Sequence, residues 1–234
     1  MIARTIVLDD LDAIAERVAA WLVEKAAAVE GGFSLALSGG STPRRLYERL
    51  ASPQWRDRMP WERVHLFWGD ERFVPPDHPD SNQRMAREAL IAHVPVPPSN
   101  VHPVPTDGTP EYAARRYDAE LRAFAAGRGA APLFDVQLLG LGEDGHTASL
   151  FPGTAALAEL KALAVAVVGA KPEPRITLTY PALAASRDVA FLVAGAGKRD
   201  MLRRLLAGDR ALPASVVRAS GAVAVFADRA AAAQ

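Results

Sequence analysis

The stretch LALSGGSTP, Leu35 to Pro43, takes an apolar run straight into a turn of glycines and hydroxyl side chains, closed by a proline. Phe33 to Leu37 reads as a buried strand, and Pro43 suits an early helical position before Arg44 to Leu50. A strand–turn–helix unit of this kind has two readings. In one, Ser41 or Thr42 simply caps the helix. In the other, the glycines let the backbone approach a ligand closely, the N–H groups at the helix start point outward, and the hydroxyls add donors. The turn then cradles a phosphate or carboxylate. It carries neither a G-x-G-x-x-G fingerprint nor a Walker lysine, and both readings stand at this point.

Working outward, the same alternation recurs. Upstream, Ile6 to Leu8 is a short apolar run, and Asp9 or Asp10 caps a helix with Leu11, Ile14, Val18, Leu22 and Val29 at helical spacing. Gly31-Gly32 ends it. Downstream, Val64 to Trp68 reads as a strand and Ser81 to Ala92 as a helix. Val94 to Pro110 reads as a proline-rich ordered loop and Glu111 to Ala126 as a helix. Phe134 to Leu141 is almost unbroken in its apolarity, as a central strand should be. Strands are expected again at Ala162 to Val168, Arg175 to Thr179, Val189 to Ala194 and Ala222 to Phe226, with a helix from Lys198 to Leu206. The tail, Ala230 to Gln234, reads as frayed helix or disorder. Alternating strands and helices predict an α/β fold, a mostly parallel, Rossmann-like sheet flanked by helices. With no repeat and no shift in composition, residues 1–234 read as one domain.

The totals narrow the function. With 27 basic and 27 acidic residues the formal charge is zero, which argues against a nucleic-acid partner. The absence of cysteine excludes disulfides, thiolate metal sites and a cysteine nucleophile. No apolar run approaches the roughly 20 residues of a membrane span, and the acidic N-terminus is unlike a secretory signal. A cytoplasmic protein with no membrane partner is expected. The histidines show no metal-ligand spacing, so no metal is expected.

Four strands end in polar turns: SGGSTP, GDERFV, GEDGHTAS and AGAGK. In a parallel sheet such ends share one edge, where ligands bind. In GEDGHTAS, Glu143, Asp144 and His146 lie on a turn that Gly142 and Gly145 allow to be sharp. A carboxylate beside an imidazole fixes its tautomer and raises its basicity, and histidine exchanges protons near neutral pH. The alternative is a turn histidine satisfied by hydrogen bonds. Because the motif ends the most apolar strand, the catalytic reading is preferred. GDERFV is either a capped turn with a local ion pair, or it sets Arg72 near developing negative charge with Asp70 on substrate hydroxyls. Lys198 opens a helix, where a cation is poorly matched to the dipole unless an anion lies beside it; alone it reads as a surface lysine. Arg175 likewise reads alone as a strand-end arginine paired with a carboxylate. A Ser–His arrangement stays open, although no G-x-S-x-G elbow occurs.

Together, LALSGGSTPRRLYERL, VHLFWGDERFVPPDHPDSNQRMAREAL, FDVQLLGLGEDGHTASLFPGT and KPEPRITLTYPAL closely resemble the 6-phosphogluconolactonase family, in order from about Leu35 to Lys198. The wider group includes glucosamine-6-phosphate deaminases. The resemblance implies the fold of ribose-5-phosphate isomerase and CoA transferases. It implies hydrolysis of 6-phospho-D-glucono-1,5-lactone in the oxidative pentose phosphate pathway, without metal or organic cofactor. It assigns Gly39, Gly40, Ser41 and Thr42 to the phosphate with Arg175 and Lys198, His146 with Asp144 beside it to catalysis, and Arg72 to the DER arginine, while Asp70 is the counterpart of the deaminase aspartate and does not separate the two activities. The deaminase loop resembles DGHIAFNEP, whose glutamate would fall at position 151; Phe151 stands there and favours the lactonase. A deaminase or isomerase of amino-sugar phosphates and a non-catalytic sugar-phosphate sensor are the rivals. The chain is expected to be a monomer or weak homo-oligomer that meets a phosphorylated sugar lactone.

Overall fold

Phe33–Leu37 is a strand with every residue buried, and the main sheet is built on both sides of it. The computed structural model describes residues 2 and 4–233. In chain order the strands are β1 (Arg4–Leu8), β2 (Phe33–Leu37), β3 (Val64–Trp68), β4 (Asp70–Arg72), β5 (Val136–Leu139), β6 (Ala164–Val167), β7 (Arg175–Leu178), β8 (Asp188–Val193) and β9 (Val223–Asp228). The α-helices are α1 (Leu11–Ala27), α2 (Ser41–Leu50), α3 (Pro53–Arg56), α4 (Asn82–Ala89), α5 (Pro110–Gly127), α6 (Tyr180–Ala184), α7 (Arg199–Leu206), α8 (Pro213–Val216) and α9 (Arg229–Ala232). Six strands form one sheet in the order β1-β9-β8-β5-β2-β3, with every pairing parallel. The expected α/β architecture is therefore the observed one, because strands apolar on both faces need helices on both sides.

The order of strands positions the site. From β2 the chain passes to β3 on one side, whereas from β5 it passes to β8 on the other. The loops leaving β2 and β5 therefore diverge, and a crevice opens between them at the carboxyl edge, the switch point where such sheets bind ligands.

Several elements differ from the sequence reading. GDERFV is not simply a turn. The chain leaves β3 through Gly69 and enters β4 of a second, antiparallel sheet ordered β4-β7-β6. At this corner Gly69 N donates to Leu37 O, and a Cβ on Gly69 would stand 2.8 Å from Gln137 Nε2, so a larger residue requires the buried Gln137 side chain to shift. Strand periodicity then sends Asp70 and Arg72 to one face and Glu71 to the other, where it is fully buried. The expected helix over Ser81 to Ala92 is shorter: Ser81 caps it and a 3-10 turn at Ile91–His93 replaces its last part. Lys198 lies not in α7 but in the 3-10 turn before it, Ala196–Lys198. The tail is not frayed. Asp228 caps α9 by accepting from Ala231 N at 2.7 Å, and Ala231 is buried; Gln234 lies outside the described residues. The ordered loop after α4 covers the edge of β3, with His102 N donating to Leu66 O.

Candidate active site

The cradle is built by α2 and its neighbours. Gly40, at φ 102°, occupies the N-cap position, and α2 has no side-chain cap. Neither Ser41 nor Thr42 performs the capping that the plain turn reading required. The first N–H groups of α2 are left for a ligand, at the positive end of the helix dipole. The turn is pinned from behind by Tyr47 of α2, which is fully buried. Ser38 N donates to the Tyr47 hydroxyl at 2.8 Å, and that hydroxyl donates to Ser38 O at 2.8 Å. Burial pushes the Tyr47 hydroxyl far above its ordinary pKa, so it stays a phenol. Gly39 is dictated by Asn82, whose side-chain amide occupies the place where a Cβ would be built.

Across the crevice, the loop after β5 carries His146. Gly142 N donates to His146 O at 2.8 Å and closes the turn tightly. The imidazole lies against Gly142, where a Cβ would collide with Nδ1. Asp144 Oδ1 takes the Nδ1 position at 2.5 Å and the His146 backbone N–H at 3.1 Å. Burial opposes ionisation of Asp144, but these hydrogen bonds outweigh it and hold its carboxyl below the usual carboxylate range. A charged carboxylate on Nδ1 keeps the proton there and leaves Nε2 as the basic nitrogen. On its far side the imidazole packs against Phe151, with ring centres 4.6 Å apart.

Asp70 and Arg72 reach the crevice from β4. Asp70 Oδ2 accepts from Ser149 Oγ at 2.6 Å, and Arg72 Nη1 donates to Asp80 O at 2.5 Å. Behind them Glu71 accepts N–H bonds from Arg72, Asn82 and Gln83, each at 2.7 Å, and the Ser81 hydroxyl at 3.2 Å. It thereby ties β4 to the start of α4. The loop bearing Lys198 is tied to the end of β9, where the Asp228 carboxylate accepts from Gly195 N.

These pieces converge on a cleft of about 270 Å³. Gly39, Gly40, Ser41, Thr42, Asp70, Arg72, His146 and Lys198 line it, so eight of the ten expected residues share one cavity wall. Asp144 stands behind the imidazole. Arg175 does not line the cleft: it pairs with Arg72 across β4 and β7, with Nη2 3.5 Å from Glu173 and Nη1 buried without a partner. Burial and the Arg72 charge hold the Arg175 guanidinium below its ordinary value. Sequence reasoning missed Asn82, Thr147 and Ala148 in the cleft, and Tyr47, Glu71 and Asp228 in its support. Ala148 has φ 48°, alone among the described non-glycine residues in adopting positive φ, and nothing in its residue type signals that. Among the described residues no three His, Asp or Glu side chains are placed to hold a metal, and no helix is long and apolar enough to cross a membrane.

A family model described as glucosamine-6-phosphate isomerases/6-phosphogluconolactonase matches residues 9–226. A 6-phosphogluconolactonase of a Nostoc species is 45% identical over 210 residues, covering 88% of this chain and 85% of that protein. One from a Synechocystis species is 49% identical over 189 residues, covering 80% and 77%. The crystal structure of 6-phosphogluconolactonase from Thermotoga maritima superimposes with a TM-score of 0.83 at 33% identity, covering 96% of this chain and 99% of that one. A family model that matches nearly the whole chain, and relatives with this extent of likeness, lead to one conclusion: the chain belongs to the family of glucosamine-6-phosphate isomerases and 6-phosphogluconolactonases.

Proposed function

We propose that this protein hydrolyses the ring ester of 6-phospho-D-glucono-1,5-lactone to give 6-phospho-D-gluconate, in the oxidative pentose phosphate pathway. One observation carries the reading: His146 and the uncapped N-terminus of α2 face a single cleft. The phosphate sits on the N–H groups and hydroxyls of Gly39 to Thr42, with Lys198 beside it, and Arg175 adds its charge from the neighbouring strand. Asp70 takes substrate hydroxyls. With the far end anchored, C1 lies near His146. Nε2 removes a proton from water as the oxygen attacks the lactone carbonyl, while Asp144 on Nδ1 stabilises the imidazolium that forms. The imidazolium then protonates the ring oxygen as the C1–O bond breaks. Arg72 and the N–H groups of the Gly142 to Gly145 turn are the candidates for holding the oxyanion. The only side-chain hydrogen bond of His146 among the described residues is to Asp144. That supports direct attack by water over a serine nucleophile. Phe151, packed on the imidazole, leaves no carboxylate on that face for a deaminase-type relay.

The protein acts in the cytoplasm as a monomer or weak homo-oligomer, and its zero net charge supports the absence of a nucleic-acid partner. A pH-stat assay on freshly made lactone, corrected for spontaneous hydrolysis, tests the activity. His146→Asn is expected to lower kcat by about 10²–10⁴-fold while the affinity for phosphate stays near that of the parent. Ammonia release from glucosamine 6-phosphate, or binding without turnover, would replace the reading.

A further inference from the structure

Lys171 is not used by the mechanism above. It lies in the connection from β6 to β7, flanked by Pro172 and Glu173-Pro174, and the end of this connection is held by Phe73 N donating to Pro174 O at 2.8 Å. Its ammonium stands over the ring of Phe151, 5.1 Å from the centroid, and Phe151 is the ring packed on His146. Among the described residues Lys171 forms no ion pair within 4.0 Å, so no single carboxylate is bonded to it. Lys171, Glu143, Asp144, His146 and Lys198 line a second depression of about 470 Å³, which adjoins the main cleft at His146. Lys171 does not line the main cleft, and Ser38 to Pro43 do not line this depression.

We propose that Lys171 serves the reacting end of the substrate: its ammonium stabilises the negative charge that develops on the C1 oxygens and then binds the product carboxylate. The inference rests on the lactonase reading. The phosphate carries its charge throughout, so a cation devoted to it binds substrate and transition state alike. The lactone end is neutral until water adds. Its carbonyl oxygen then becomes an oxyanion, and the ring opens to a carboxylate. A cation beside His146 and away from the cradle therefore gains its interaction only as the reaction proceeds, which places its effect in kcat and in product affinity. Held over an aromatic face, the ammonium is positioned without a close ion pair, while Glu143 and Asp144 line the same depression.

Lys171→Met tests this in the full-length chain, with Lys171→Arg as the conservative control. Because the side chain is exposed, both variants are expected to melt with the parent. In Lys171→Met, kcat is expected to fall roughly tenfold and inhibition by 6-phosphogluconate to weaken to a similar degree. KM should move by less than about twofold, inhibition by inorganic phosphate should be unchanged, and Lys171→Arg should keep most of kcat. An unchanged kcat overturns the proposal. So does a loss confined to KM and to phosphate inhibition, which would assign Lys171 to the phosphate end. A parent without lactonase activity would remove the reading of the whole site; an active parent matched by an equally active Lys171→Met removes this inference alone.

Discussion

At the scale of single residues, the site depends on a carboxylate that never touches the cleft. Glu71 is fully buried, and every hydrogen bond to it comes from β4, Ser81 or the first turn of α4. Burial raises its pKa to about 7, against the pull of the N–H groups of Asn82, Gln83 and Arg72. A group that binds its proton more tightly when folded contributes stability below its unfolded value of 4.5, and loses that contribution as pH rises through about 7. At about 1.4 kcal/mol per pH unit, the whole swing is about 3 kcal/mol. Denaturant midpoints of the parent and Glu71→Gln between pH 4.5 and 8 measure it. The stability of the parent relative to the variant is expected to fall by that amount across the window, and a difference independent of pH would refute the assignment. The sequence placed Glu71 in a turn, where a carboxylate needs no explanation; only the strand register reveals that it points inward.

At the scale of elements, two helices use the same device on two strand ends. Tyr47 of α2 clamps the backbone of Ser38 just past β2, and Tyr117 of α5 clamps Trp68 at the end of β3, donating to its carbonyl at 2.9 Å and accepting from its N–H at 3.0 Å. Both phenols are fully buried, so each clamp replaces hydration that the backbone groups lose. Removing one hydroxyl strands a buried donor and a buried acceptor. Tyr47→Phe and Tyr117→Phe are therefore each expected to cost about 2 kcal/mol in chemical denaturation. Their functional effects should separate. Ser38 opens the loop proposed to hold the phosphate, so Tyr47→Phe should weaken inhibition by inorganic phosphate several-fold, whereas Tyr117→Phe, which supports the approach to Asp70, should leave it unchanged. Equal phosphate inhibition in the two variants would mean that the clamp on Ser38 serves stability alone. Neither tyrosine is marked by its local sequence, since each sits on the apolar face of an ordinary amphipathic helix.

At the scale of the molecule, the parallel sheet was legible because its strands are continuous apolar runs that alternate with helical periodicity. The convergence of four loops followed, since parallel strands place all their carboxyl ends on one edge. The second sheet was harder to read. β4 is three residues long, directly follows Gly69, and pairs with a strand more than a hundred residues away, so no local pattern separates it from a loop. That hidden sheet also sets Arg72 and Arg175 directly opposite each other, and of the two only Arg72 lines the cleft. On the proposed function the site has two ends on different elements: α2 and the Lys198 turn for the anion, and the loop after β5 for the base. Binding energy gained at the first end orients the ester at the second, so loss of the phosphate should cost turnover as well as affinity. Measuring kcat/KM for the phosphorylated lactone and for glucono-1,5-lactone, in the parent and in Lys198→Met, tests this division with the substrate as one partner of the cycle. The parent should favour the phosphorylated substrate strongly. Lys198→Met should lose roughly tenfold or more on that substrate and almost nothing on the other, because a charge-assisted contact of about 1.5–3 kcal/mol is absent from both sides of the second comparison. Equal losses on the two lactones would move Lys198 from the anion end to the chemistry itself.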